Sequence, residues 1–140
     1  MPHIELHPAV VHFPIALFLS ALALEVLGRI FSREALHKSA VHIYLLAAFL
    51  TPFVALTGLR EANELHLVHR VLDLHRIFAL STMWLALASL LMLWNIKRRI
   101  AGFFRTAFLI VLILLASFVS IAAYHGGRLV YEYSVGIEEE

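Results

Sequence analysis

The segment "HPAVVHFPIALFLSALALEVLGRI", residues 7–30, decides the fold. From His7 to Leu24 it contains no Asp, Glu, Lys or Arg. A helix rising about 1.5 Å per residue crosses a hydrocarbon core of about 30 Å with about 20 such residues. Two histidines and two prolines crowd its start, although histidine is costly in hydrocarbon and proline breaks helices.

Three more stretches have the same character, so spans are expected at about 9–30, 39–58, 75–96 and 101–124. The whole chain of 140 residues is 61% hydrophobic, with a mean hydropathy of +0.86. A soluble domain is nearer half apolar. Lipid offers no partners to the backbone, so each span should be α-helical. The expected fold is all-α, an integral-membrane four-helix up-and-down bundle forming one domain over residues 1–140.

Charge orients the bundle. Arg29, Arg33, Lys38, Lys97, Arg98, Arg99 and Arg105 flank the first and third connections, against Arg60, Arg70, Arg76 and Arg128 on the other side. That bias predicts a bacterial-type inner (cytoplasmic) membrane protein with both termini outside the cytoplasm. The start "MPHIELHP" lacks a basic segment, so no cleavable signal peptide is expected. Without cysteine there is no disulfide, thiolate ligand, iron–sulfur cluster or c-type haem attachment. A net charge of +1 argues against nucleic acid.

The nine histidines are unevenly spread. His3, His7, His12, His66, His69, His75 and His125 fall on the outward side, and only His37 and His42 on the other. Helical phase puts Val68, Val71, Leu72, His75, Ala79, Thr82 and Ala86 on one stripe, with His66, His69 and Asp73 opposite and Arg76 on the flank. In the first span His12, Ala16, Ser20 and Ala23 form a stripe, with Pro8 and Pro14 aiming His12 inward. Small residues beside an inward histidine suit close helix packing, and equally a flat macrocycle. Haem b is therefore expected between His12 and His75, with His125 or His69 in reserve. Two imidazoles fill both axial positions, which suits electron transfer more than stand-alone catalysis.

Weaker signals stand beside these. His66, His69 and Asp73 could hold Zn or Cu. Met92 with His42 is a poor candidate for a second axial pair. Glu25 is expected to pair with Arg29 at i+4, with His42 at similar depth. The Glu34-to-His37 pair lies in a connection without a second copy, which disfavours a di-iron site.

The motifs "HPAVVHFPIALFLSALALEVLG" and "GGRLVYEYSVGI" resemble an uncharacterised prokaryotic family of predicted membrane proteins, domain of unknown function 2231. The resemblance spans nearly the whole chain and implies a four-span membrane protein, without an established activity. The family's closing motif carries a His-Gly step where this chain has Tyr133 and Ser134; if that histidine is a ligand, His125 is its nearest replacement.

Two leading functions from different classes follow, beside the Zn- or Cu-binding membrane protein that His66, His69 and Asp73 would make. One is a small b-type cytochrome exchanging electrons with a quinone or an outward-facing c-type cytochrome. The other is a cofactor-free accessory or assembly subunit of a larger membrane complex. Homo-oligomerisation is compatible with both.

Overall fold

The computed structural model describes residues 6–64, 70–99 and 101–135. Its helices are α1 (Leu6–Val10), α2 (His12–Ile30), α3 (Glu34–Glu64), α4 (Arg70–Arg99) and α5 (Ala101–Tyr131). Four segments are long and apolar enough to cross a membrane: His7–Ile30, Glu34–Asn63, Arg70–Trp94 and Phe103–Tyr131. The expected all-α bundle is therefore present. α2 neighbours α3 and α5, α4 neighbours the same two, and the diagonal pair α3 and α5 meets, among the described residues, through side chains and not through close backbone approach. The start of α1 and the end of α5 lie at one end of this ring.

α1 and α2 make one span, interrupted at Val11. Pro14 explains the break, because it cannot donate to the carbonyl of Val10 and its ring crowds that turn. α3 contains Pro52. Pro14 and Thr51, the neighbour of Pro52, line the same cavity. Two proline-weakened turns thus meet at one depth.

The core divides its labour by residue size. α3 offers Ala40, Ala47 and Ala48, α2 offers Ala21 and α4 offers Ala86, all fully buried. α5 fills the gap with Phe108, Leu112 and Leu115, which are also fully buried. Small faces let backbones approach, which is how helices gain contact where lipid is as apolar as leucine. Phe49, Trp84, Leu91 and Trp94 point outward, as hydrocarbon-facing residues should.

Polar residues, and in one place a glycine, recur every seven positions on the inner seams. His37, Tyr44, Thr51 and Gly58 follow one another along α3, and His75, Thr82 and Ser89 along α4. Tyr44 and Ser89 meet across the bundle at 2.7 Å. A seven-residue repeat keeps one face on a partner helix in a left-handed bundle.

The turn from α2 to α3 is only Phe31 to Arg33. Arg33 N donates to Gly28 O at 2.9 Å, the six-to-one bond of a Schellman closure, and Ser32 takes φ 51°. A side chain is strained there. Ser32→Gly should raise unfolding stability by about 1 kcal/mol, measured by denaturant titration in micelles. A lowered midpoint would mean that the Ser32 side chain supports the turn.

Candidate functional site

His7 and His75 face each other at the end that bears the termini. Their ring centroids are 6.2 Å apart and their planes cross at 78°. His7 belongs to α1 and precedes Pro8, whereas His75 lies in the second turn of α4. Each ring is anchored through Nδ1 to a main-chain carbonyl: His7 to Val54 O at 3.2 Å, and His75 to Ala122 O at 2.8 Å. His7 Nδ1 is also 3.2 Å from Thr57 Oγ1. A carbonyl oxygen only accepts, so Nδ1 carries the proton on both rings. Nε2 is then the lone-pair nitrogen on both.

Glycine makes room for these rings. A Cβ on Gly58 would stand 2.7 Å from His7 Cε1, and one on Gly126 would stand 3.2 Å from His75 Cε1. Only Gly58 is incompatible with any side chain while the ring stays in place.

Beside the rings, toward the bundle centre, lies an apolar cavity of about 50 Å³. Pro14, Val54, Ala79, Thr82 and Ala122 are among its walls. Thr51 and Thr82 satisfy their hydroxyls on Ala47 O and Phe78 O of their own helices, at 2.7 and 2.8 Å. Polar groups without protein partners stand just outside. The Nε of Arg76 and the Nδ1 of His125 are buried with no hydrogen-bond partner. His125 stacks against Phe78 at 6.5 Å and 17°.

The sequence-predicted residues separate accordingly. His75, Ala79 and Thr82 occupy the inward stripe expected of them. His12 does not turn inward: its exposed side chain has Nδ1 3.2 Å from Pro8 O, and Ala16, Ser20 and Ala23 face outward with it. The inward place belongs to His7. The phase error came from following small residues. The true inner stripe runs His7, Val11, Pro14, Phe18, Ala21, Glu25, Gly28 at alternating four- and three-residue steps, and its last five described members are buried from Pro14 onward. Glu25 was the available signal, since an intramembrane carboxylate marks the interior.

His66 and His69 lie outside the described residues, and Asp73 is exposed. No group of three or more His, Cys, Asp or Glu suited to a metal ion occurs among the described residues. Met92 and His42 are both exposed, with His42 Nδ1 2.7 Å from Lys38 O.

A second polar cluster closes the opposite end. Glu25 is fully buried; its carboxylate accepts from Arg29 Nε at 3.0 Å and from His37 Nδ1 at 2.5 Å. Arg29 also donates to the main-chain oxygen of Arg105. The expected Glu25–Arg29 pair is present, but the nearby histidine is His37, not His42. Glu34 and His37 sit in the first turn of α3, not in a connection. The rings of Phe104 and Phe108 pack edge-on against His37 and seal the cluster from the bundle centre.

A family model described as predicted membrane protein (DUF2231) matches residues 3–139. No curated protein and no solved structure matches the chain.

Proposed function

The chain belongs to the predicted membrane protein (DUF2231) family, and from that premise we propose that it is a small b-type cytochrome whose haem iron is ligated by His7 and His75. The supporting observation is the pair of neighbouring imidazoles, set edge to face, each held by Nδ1 so that Nε2 is left as its basic nitrogen. An ion bonded to two imidazole nitrogens at about 2 Å each separates the ring centres by about 6 Å. The observed separation is 6.2 Å.

The two imidazoles brought together among the described residues are fewer than the three or four protein ligands usual for zinc. They suffice for haem iron, where the macrocycle supplies four nitrogens. The cavity walls are apolar and small enough to yield. Haem is larger than the cavity, so binding requires Val11, Ile15 and their neighbours to swing aside, at the depth where Pro14 and Pro52 have already weakened both helices.

When bound, such a group cycles between ferric and ferrous states. The chain's own contribution is to fix both ring orientations and exclude water. Held by His7 and His75, such a group would carry electrons rather than bind substrate. A quinone in the bilayer or an outward-facing c-type cytochrome is the matching partner class. The basic bias supports an orientation with the haem end, and both termini, outside the cytoplasm of the inner membrane.

Protein purified from haem-supplied cells should show a Soret band and, once reduced, a sharp α-band unaffected by carbon monoxide. A wild type with no Soret band overturns the cytochrome and leaves the packing-only subunit. Separately, a reporter active only outside the cytoplasm should work when fused after Glu140. Activity from a fusion after Arg99 instead would invert the orientation.

A further inference from the structure

At the end opposite His7 and His75, a polar cleft of about 400 Å³ opens between the end of α2, the first turn of α3 and the start of α5. Arg29, Ser32, Glu34, Arg105 and Thr106 are among its walls. We propose that this cleft binds a phospholipid headgroup bearing both a phosphate and a primary ammonium, as phosphatidylethanolamine does. The phosphate lies on Arg29 and Arg105, and the ammonium on Glu34. No residue of the cleft belongs to the haem site.

Both guanidiniums have unused donors. Arg29 gives Nε to Glu25 and one N–H of Nη2 to the main-chain oxygen of Arg105, which leaves its other N–H groups free among the described residues. Arg105 makes no side-chain hydrogen bond to a described residue. Its Nη1 stands 3.6 Å from Glu34 Oε2, beyond hydrogen-bond range. A rim pair so loose and exposed adds little to stability, so a ligand can part it at small cost. A phosphate offers several oxygens at once, which suits two forked guanidiniums.

Charge selects the ligand class. Glu25 faces Arg29 and Glu34 faces Arg105, so the cleft carries both signs. A lone anion there meets Glu34 as a repelling neighbour, whereas a zwitterion brings a partner for each wall. The ammonium must keep N–H groups to donate to the Glu34 carboxylate, and a choline headgroup has none.

The surroundings select an amphiphile. Ile110 and Ile113 follow Thr106 on one face of α5, and both are exposed, as is Ile30 beside Arg29. The polar cleft thus gives directly onto apolar surface, where acyl chains lie.

The test titrates full-length protein, delipidated in a maltoside detergent, with dioleoyl lipids bearing ethanolamine, choline or glycerol headgroups, and counts bound lipid by native mass spectrometry. The ethanolamine lipid should bind about tenfold more tightly than the other two, the effect of one charge-assisted hydrogen bond. Arg105→Gln should weaken binding of all three. Glu34→Gln should bring the ethanolamine lipid level with the choline lipid and strengthen the glycerol lipid. Equal wild-type affinity for the three, or tightest binding of the glycerol lipid, overturns the proposal. So does an ethanolamine preference that survives both substitutions. Displacement of the ethanolamine lipid by millimolar inorganic phosphate makes the ligand a free anion and overturns it as well. The wild-type comparison needs no variant to fold.

Discussion

His7→Ala and His75→Ala should each abolish the low-spin spectrum, and His12→Ala should leave it intact. The contrast is large because an apolar bundle offers the iron no replacement for a lost imidazole. Nδ1 of His7 reaches Val54 O and Nδ1 of His75 reaches Ala122 O, so each ring is fixed from behind before iron arrives. His12 is tied to its own helix at Pro8 O and faces outward. Gly58→Ala sharpens the test, since its Cβ would stand 2.7 Å from His7 Cε1 and must push the ring aside. Haem retention should then fall on the order of ten- to a hundredfold, with helix content by circular dichroism unchanged. If His12→Ala removes the spectrum and His7→Ala does not, the axial assignment is wrong.

The second large effect lies at the opposite end. Glu25→Ala removes the only carboxylate shared by Arg29 and His37, leaving a buried imidazole and part of a guanidinium unpaired. Breaking such a pair from one side costs about 3–5 kcal/mol. Unfolding by denaturant in mixed micelles should report a loss of that order. Glu25→Gln keeps an acceptor for Arg29 or His37 and should lose less. A loss under 1 kcal/mol for Glu25→Ala would mean that water or lipid headgroups already reach the cluster. Neither substitution should shift the haem spectrum, because Phe104 and Phe108 separate His37 from the bundle centre.

How much of this was legible in the sequence depends on which physical signal each feature leaves. Hydropathy records a crossing of hydrocarbon, so all four spans were readable. It records nothing of where a helix stops once it leaves the lipid. α3 runs from Glu34 to Glu64, well beyond the apolar stretch 39–58, and so carries His37 into the core instead of a connection. Phase on the third span was readable because Val71, Leu72, Thr82 and Ala86 are all buried. On the first span, apolar residues surround the helix on every side, and a membrane helix can present small residues to lipid as well as to a neighbour. Only Glu25 broke that symmetry. Counting back from it in seven-residue steps reaches Phe18, Val11 and, one further half-step of four, His7. The two orphaned nitrogens on Arg76 and His125 leave no sequence signal, because satisfaction of a donor is decided by what packs around it.

His7 and Glu25 share one stripe eighteen residues apart, which at 1.5 Å per residue is about 27 Å, nearly the full thickness of the hydrocarbon layer. The two clusters therefore act as the plates of a capacitor, with the greasy middle of the bundle as its dielectric. A charge gained at one end is separated from the other by most of the transmembrane voltage, about 2.3 kcal/mol for each 100 mV. An energised membrane can thus shift the occupancy of one cluster relative to the other without any atom moving between them.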